Sequence, residues 1–277
     1  MLTFVIISIM TITALSKVDI PFLSVLQPEG WNDIRRVFST HIGRPYFEAF
    51  KTVLDGQLVA VGHTMYCQGS AWLGNIIVAK NFRNSGLGKE ITLYLISKIL
   101  KKNIDSIFLL ATELGKPVYE AVGFKERHRF SFIKFGPSEI SMTPDLNIEP
   151  YHIDDMEAIL SLDRKATGED RSPIIKYFMG TGKVMKNSDG DIEGFYLPDL
   201  GDGLIIAANV DSGITLSQYR YLDGKRYVVL PDNNLEFLFS THIKFELQQR
   251  KAYYMHLGPW KSWTPKMIYC RVGGYLG

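Results

Sequence analysis

The residues best suited to chemistry lie between positions 78 and 89, where the sequence reads V-A-K-N-F-R-N-S-G-L-G-K. A strand precedes this segment and an amphipathic helix follows it, so the loop lies at a helix N-terminus. The first helical turn presents unpaired N–H groups and the positive end of the helix dipole, which stabilise an anion. Gly86 and Gly88 let the backbone approach phosphate oxygens, and Arg83 and Lys89 add positive charge. The loop therefore predicts a pyrophosphate site.

Three kinds of phosphate-binding loop share these features, and their spacing distinguishes them. The nucleoside-triphosphate loop requires Ser or Thr after Gly-Lys, but Gly88-Lys89 is followed by Glu90. The dinucleotide-binding loop requires a third glycine where this chain has Ile91. The pattern that remains is R-x-x-G-x-G after a strand.

A second segment, Leu110 to Phe124, lies downstream and ends in Tyr119-Glu120, two residues, and Gly123-Phe124. With both motifs in register, the sequence resembles the GNAT superfamily of N-acetyltransferases. The Ala-Thr and Gly-x-Pro steps inside this segment resemble a subgroup that joins two such domains in tandem. Many members of the superfamily carry Asn where this chain has Thr112.

The resemblance implies an acyltransferase that uses acetyl-coenzyme A and passes the acetyl group directly to a primary amine. It implies that Tyr119 is the general acid that protonates the departing thiolate, a role that a phenol with a pKa near about 10 can fill. The strand before the loop contributes backbone groups to the pantetheine arm and the thioester. The implied cofactor-binding residues are Ile76, Ile77, Val78, Arg83, Asn84, Ser85, Gly86, Leu87, Gly88, Lys89 and Thr112.

The acceptor side is less defined by sequence. We expect Trp31 and His63 to bind the acceptor, an amine on a small molecule or a peptide. The amine must be neutral to attack, and His63, His41, Glu48 and Asp33 are all candidates for the base that removes its proton. A module that binds acyl-coenzyme A without turnover is the alternative function.

The fold class expected is α/β with a mixed sheet, in which an N-terminal catalytic domain at 1–138 precedes a GNAT-like domain at 145–277. Prolines and a glycine interrupt the apolar patterning between 135 and 145, which indicates a linker. The patterning of the first half predicts strands at 3–11, 57–67, 71–78, 106–111 and 125–135, and helices at 13–26, 87–101 and 117–122.

The second half resembles the C-terminal domain of the tandem subgroup at Asp163 to Pro173 and at Ile268 to Gly277. No R-x-x-G-x-G follows Pro144, so this domain is expected to be a degenerate copy that either covers the acceptor site or only packs against the first domain. Its Asp163, Asp170 and Arg171 either face the acceptor or form internal ion pairs. The patterning predicts a strand and helix at 148–159, strands between 192 and 230, a helix at 235–249, and strands at 251–257 and 267–272.

Composition excludes several other classes. Lys plus Arg number 31 against 29 Asp plus Glu, so no broad positive field favours nucleic acid or anionic membranes. The apolar run Met1 to Leu15 has no basic residue before it and is too short to span a bilayer, so a buried strand and a cytoplasmic protein are expected. Cys67 and Cys270 are far apart and indicate neither a disulfide framework nor a metal site. A monomer or homodimer is expected.

Overall fold

The computed structural model describes residues 10–138 and 148–277. In the first half, short connections join the elements. The strands and α-helices from residue 57 onward closely follow the apolar patterning, whereas a helix at Arg35–His41 and a strand at Phe47–Leu54 were not predicted. The strands are β1 Met10–Ala14, β2 Phe47–Leu54, β3 Gln57–Cys67, β4 Ser70–Val78, β5 Ile107–Ala111 and β6 Lys125–Phe135. The helices are α1 Arg35–His41, α2 Leu87–Leu100 and α3 Lys116–Glu120, with 3-10 helices at Lys17–Leu26 and Lys80–Phe82.

The second half contributes further strands, three α-helices and several short 3-10 helices. The strands are β7 Ile148–Pro150, β8 Lys183–Lys186, β9 Ile192–Leu197, β10 Leu204–Ala207, β11 Tyr227–Pro231, β12 Phe245–Leu257 and β13 Ile268–Cys270. The helices are α4 Met156–Thr167, α5 Ser172–Ile175 and α6 Val210–Leu222. The 3-10 helices are Ile153–Asp155, Lys176–Thr181, Glu236–Thr241 and Pro265–Met267.

Two sheets organise these strands. The larger has eight strands in the order β1-β2-β3-β4-β5-β12-β6-β11, and the smaller has five in the order β13-β10-β9-β8-β7. The mixed α/β fold expected from the sequence is confirmed. Two second-half strands belong to the larger sheet, since β12 pairs with both β5 and β6 while β11 pairs with the other edge of β6. The expected domains, 1–138 and 145–277, therefore share one sheet.

The larger sheet is buried on both faces. On one, here called the α2 face, Ile91 and Leu95 of α2 pack on Leu73 and Leu109 of the strands. Gly62 allows this close approach, because a Cβ there would lie 3.0 Å from the Leu95 side chain. The opposite face is covered by the 3-10 helix Lys17–Leu26, by α1 and by residues of the second half.

The second half corrects two predictions. The helix expected at 235–249 is wrong, because this segment forms the 3-10 helix Glu236–Thr241 and the first part of β12. Helix α6 lies where only strands were expected. Asn209 caps it by accepting a hydrogen bond from the Ser212 amide at 2.9 Å. Gly213, a poor helix former, is required because a Cβ there would lie 2.1 Å from the Tyr269 ring.

The N-terminal and linker predictions fall partly outside the described residues. Most of the strand expected at 3–11 lies there, and the described strand β1 continues to Ala14, which pairs with Phe50. The helix expected at 13–26 is a 3-10 helix that contains Pro21. Residues 139–147 of the expected linker are also outside. Among residues 10–138 and 148–277, no helix is long and apolar enough to cross a membrane.

Candidate active site

A gap opens in the larger sheet between β4 and β5. These parallel strands pair only at Ala71 with Ile107 and at Trp72 with Phe108. Beyond Trp72 the outer edges stay occupied, because β4 pairs with β3 as far as Val78 and β5 pairs with β12. The backbone groups that face each other across the gap are therefore available to an extended ligand.

A bulge in β4 shapes the gap. Asn75 has a φ of +47°, a conformation in which Asn is more tolerated than most residues. The register with β3 shifts at this point, where His63 pairs with Gly74 and Val61 pairs with Ile77. The Asn75 Oδ1 lies 3.0 Å from His63 Nε2 and holds the bulge in place. A bulge re-aims the residues that follow it, here Ile76 to Val78.

The predicted phosphate loop lies at the end of β4 nearest the open gap. Helix α2 begins at Leu87 after Gly86, whose φ of +89° is the left-handed conformation that favours glycine, and no side chain caps the helix. The N–H groups of Leu87, Gly88 and Lys89, at the start of this 14-residue helix, therefore have no hydrogen-bond partner among the described residues. Arg83 is exposed, and its Nε lies 3.3 Å from the Val78 carbonyl oxygen. The loop thus combines free donors with a positive side chain.

The remaining predicted loop residues divide into structural and exposed ones. Leu87 is 7% exposed and packs in the core, while Lys89 is exposed. Asn84 takes a φ of +62° in the turn. Ser85 donates a hydrogen bond of 2.5 Å to the Phe82 carbonyl, which stabilises the turn. The loop therefore offers mainly backbone groups and cations to a ligand.

Tyr119 lies on the short helix α3, which touches the start of α2. A Cβ at Gly88 would lie 3.8 Å from the Val118 side chain, so the two sequence motifs meet in space. The Tyr119 ring is half-buried and packs edge-on against Phe124, with centroids 6.1 Å apart. Burial raises the pKa of the Tyr119 phenol above its ordinary value. The hydroxyl is therefore protonated at neutral pH.

Thr112 stabilises the turn before α3. Its Oγ1 accepts a hydrogen bond from the Gly115 amide at 3.1 Å, and its carbonyl accepts one from Lys116 at 2.9 Å. Gly115 has little room for a side chain, because a Cβ would lie 3.2 Å from the Tyr119 ring. The Thr112 side chain thus helps to position the turn that carries Tyr119.

His63 lies on the opposite face, directly beneath the sequence's final residues. Its ring is 0% exposed and packs against Phe47, Phe38 and Tyr275, at centroid distances of 4.7, 5.5 and 5.8 Å. Burial lowers the pKa of His63 to about 3. The ring is therefore neutral at pH 7 and a weak base.

The other base candidates lie in different surroundings. His41 is buried with Nδ1 3.1 Å from the Tyr46 hydroxyl, and burial lowers its pKa to about 4. Glu48 accepts a hydrogen bond from Tyr66 and pairs with a lysine beyond the end of α2. Asp33 pairs with its neighbour Arg35 on the surface. The structure does not bring these side chains together, nor join them to Trp31, which is 41% exposed.

A buried polar cluster joins the two halves. Arg171 donates to both carboxylate oxygens of Asp163, with Nε 3.1 Å from Oδ2, and its Nη1 donates to the Gly277 carbonyl. Glu169 is also buried and accepts hydrogen bonds from Ser70 and from the Trp72 indole, and burial raises its pKa. Asp163 and Arg171 therefore form an internal ion pair. Within the described ranges, no group of His, Cys, Asp or Glu side chains is arranged to hold a metal ion.

Sequence reasoning singled out 268–277 only for its resemblance to the tandem subgroup, and the structure shows that residues 271–277, here called the tail, lie against this region. Tyr275 lies over Gly74, since a Cβ placed on Gly74 would be 2.4 Å from the Cβ of Tyr275. Gly277 lies against the ring of Trp72, the last β4 residue paired with β5. The small residues Gly273, Gly274 and Gly277 were a signal of close backbone approach, but nothing in the sequence indicated what they approach.

Comparison with known proteins agrees with this geometry. Residues 26–143 match the model of the acetyltransferase (GNAT) domain family. No curated protein matched the sequence. A proposed acetyltransferase from Pyrococcus horikoshii is similar over 97% of this chain and 96% of its own, with a TM-score of 0.80 and 19% identity.

Two further structures are similar over both halves. A GCN5-related N-acetyltransferase from Sphaerobacter thermophilus covers 90% of this chain and 95% of its own, with a TM-score of 0.62 and 14% identity. One from Anabaena variabilis covers 89% and 72%, with a TM-score of 0.54 and 11% identity. At these identities the likeness concerns the fold, while the family match concerns the first half itself. The chain therefore contains a GNAT acetyltransferase domain, which places it among the acyltransferase enzymes.

Proposed function

We propose that this protein is an N-acetyltransferase that passes an acetyl group from acetyl-coenzyme A to a primary amine. The observation that carries the proposal is the position of the gap between β4 and β5. Its open end lies at the uncapped start of α2, so one extended molecule can occupy both. Acetyl-coenzyme A has the matching parts. Its pyrophosphate is joined to an extended arm that contains amides and ends in the thioester.

Each part of acetyl-coenzyme A has a counterpart in the chain. The pyrophosphate binds the first-turn N–H groups after Gly86, with Arg83 and Lys89 beside it. The arm lies in the gap and hydrogen-bonds the backbone of Ile76 to Val78, whose facing edge is free. Thr112 acts through the turn that it stabilises.

The reaction is a direct transfer. The amine nitrogen attacks the thioester carbonyl carbon, and backbone N–H groups of β4 stabilise the oxygen as it gains charge. The carbon–sulfur bond then breaks, and the Tyr119 hydroxyl donates its proton to the departing thiolate. The proton of the attacking amine leaves to water, because a neutral His63 with a pKa of about 3 is too weak a base to hold it.

The amine reaches the acetyl group from the opposite face, because α2 and α3 cover the other side of the gap. We place His63 and Trp31 on this acceptor side. His63 supports the Asn75 bulge and hence the shape of the gap, while Trp31 is exposed and offers an apolar surface to the acceptor.

Two substitutions test the proposal by separating binding from turnover. Gly86→Glu places a strained side chain and a negative charge against the phosphates, so calorimetry should detect no acetyl-coenzyme A binding. Tyr119→Phe should leave the dissociation constant unchanged and lower kcat for thiol release by about 10²-fold to 10⁴-fold.

Tyr94→Phe is the matched control for Tyr119→Phe, because Tyr94 lies on α2 and packs against Phe50. It should retain near-normal kcat. Unchanged affinity in Gly86→Glu would refute the pyrophosphate position. Thermal stabilisation by acetyl-coenzyme A without thiol release from any amine in a broad panel would instead favour a non-catalytic binding module.

A further inference from the structure

The tail crosses the opposite face of the larger sheet and passes over the gap. At its beginning, the Arg271 guanidinium lies 5.9 Å from the ring centroid of Phe130 on β6. Four residues later, Tyr275 lies over Gly74 of β4. Because β5 and β12 separate β4 from β6 in the sheet, the segment between these residues passes above the gap.

Arg271 is buried without an acidic partner. Its exposure is 4%, and it forms no ion pair with any carboxylate in the described part of the chain. Its Nη1 donates to the Gly273 carbonyl at 2.6 Å, while Nε is buried without a hydrogen bond and Nη2 has none among the described residues. Nε and Nη2 form the edge of a guanidinium that binds a carboxylate with two parallel hydrogen bonds. That edge is unpaired here.

Two other buried arginines show that the fold usually satisfies this edge. In Arg171 the same two atoms bind Asp163. In Arg220 they donate to the carbonyl of Asp202, and Nη2 also donates to Tyr227. A buried polar group without a partner is costly, so an exception calls for an explanation in terms of function.

Charges of both signs lie near Arg271. Arg250 lies 4.1 Å from the Phe132 ring centroid, and Arg271 lies 5.8 Å from the same centroid. Two cations therefore share one aromatic ring, and Arg250 is exposed to solvent. Burial lowers the pKa of Arg271, and the nearby Asp202 carboxylate offsets this only in part, without forming an ion pair with it.

The tail near Arg271 is open to solvent at Gly274. This residue is exposed, and no atom lies within 4 Å of the position that its Cβ would take. Gly273, its neighbour, accepts the Nη1 hydrogen bond and so fixes the orientation of the guanidinium. The edge formed by Nε and Nη2 is thus held in place on the side of the sheet from which the amine must approach.

We propose that Arg271 binds the carboxylate of the acceptor through Nε and Nη2, so that the acceptor is an amine that carries a carboxylate, such as an amino acid. This inference rests on the proposed function, because it assigns the acceptor of the same reaction. The amine end of such a molecule reaches the gap while its carboxylate stays beneath the tail. Arg271 is then the residue that determines acceptor specificity.

The test compares each amino acid with its carboxamide, which keeps the amine and removes the negative charge. Thiol release is measured with a panel of amino acids and diamines, and the fastest amino acid is paired with its carboxamide. We expect the wild type to favour the acid by about tenfold to a hundredfold in kcat/KM, the range expected for hydrogen bonds to a charged group. Arg271→Gln should reduce this ratio to near one.

Two further variants sharpen the result. Arg271→Lys keeps the charge but loses the paired donors, so it should recover only a small part of the preference. Arg250→Gln is the control, since Arg250 is exposed and should change the ratio by less than about threefold. An unchanged acid preference in Arg271→Gln, or a wild type that favours diamines or carboxamides, would overturn the proposal.

Binding measurements separate this inference from the proposed function. Calorimetry with the same amino acids, in the presence of coenzyme A, reports binding even if no amine is acetylated. Binding to the wild type that is lost in Arg271→Gln supports the carboxylate site whether or not turnover occurs. If no amino acid binds the wild type while a diamine is acetylated, the carboxylate site fails and the acetyltransferase proposal stands.

Discussion

Arg171 and Arg271 are both buried on the same face of the larger sheet, and both hold the tail through a carbonyl. Arg171 donates to Gly277 at one end of the tail, and Arg271 donates to Gly273 nearer the other. They differ in the edge formed by Nε and Nη2, which binds Asp163 in Arg171 and has no hydrogen-bond partner among the described residues in Arg271. The hydrogen-bonding capacity of the guanidinium is thus satisfied in Arg171 and only partly satisfied in Arg271.

The difference also extends to the charge of the surroundings. Around Arg171 the acids are in excess, because Asp163 and Glu169 are both buried nearby, and burial raises the pKa of Glu169. Around Arg271 one cation, Arg250, and one carboxylate, Asp202, lie nearby, and neither binds the guanidinium. The first arrangement joins the two halves of the chain, while the second leaves Nε and Nη2 of Arg271 without a hydrogen bond among the described residues.

The largest expected effect on stability comes from breaking the ion pair between Arg171 and Asp163. Arg171→Met leaves Asp163 buried without a counter-charge and removes the hydrogen bond to Gly277. We expect a loss of about 3–5 kcal/mol in the free energy of unfolding, the cost of removing one partner of a buried ion pair. Urea unfolding monitored by tryptophan fluorescence measures it. A loss below about 1 kcal/mol would remove the distinction between the two arginines.

A smaller effect concerns His63, which packs against Tyr275 of the tail. Its folded pKa of about 3 is below the ordinary 6.5, so the folded state resists protonation. Its contribution to stability is therefore fully present above pH 6.5 and is lost as the pH falls toward 3, by about 2 kcal/mol at pH 5. His63→Phe keeps the aromatic contacts and should lack this loss.

The difference in unfolding free energy between wild type and His63→Phe, measured by urea at pH 7 and pH 5, isolates this residue. His41 and Glu169 titrate in both proteins, so their contributions cancel. Parallel pH profiles for the two proteins would show that His63 is not held neutral beneath the tail.

The smallest effect is expected at Arg271. Arg271→Met removes one hydrogen bond to Gly273 but also removes a buried charge that forms no ion pair in the described part of the chain. These opposing contributions should leave the free energy of unfolding within about 1 kcal/mol of the wild type. Urea unfolding beside Arg171→Met provides the comparison. A loss as large as that of Arg171→Met would mean that Arg271 serves stability instead of a ligand.

Much of the first half was predictable from local patterning. The strand at 125–135 and the helix from Leu87 match the structure, and the hairpin of β3 and β4 lies where alternation indicated it. These elements are specified by residues close in sequence, such as Gly69 at the turn with a φ of +74°. The phosphate loop belongs to the same class, because a strand end, two glycines and a helix start follow one another directly.

The second half was less predictable because its elements depend on distant partners. Residues 245–257 form a strand since β5 and β6 bind them on both sides, although their own pattern suggested a helix. Helix α6 contains Gly213, which weakens a helix in isolation and is tolerated because the Tyr269 ring occupies the adjoining space. Here tertiary packing outweighed local propensity.

The sequence by itself determined the α/β class, the elements β3 to β6, α2 and α3, and the Arg83 to Gly88 loop, because each rests on neighbours within a few residues. It did not predict α1 or β2. It also supplied the resemblance that placed Tyr119 beside the thioester, which remains a proposal. Only the tertiary structure decided that β12 completes the larger sheet, that Asp163 pairs with Arg171, and that Arg271 forms no ion pair within residues 10–138 and 148–277. Strands as far apart in sequence as β5 and β12 leave no local pattern of their pairing. The Asp163–Arg171 pair joins residues close in sequence, but it forms because the fold buries both side chains together.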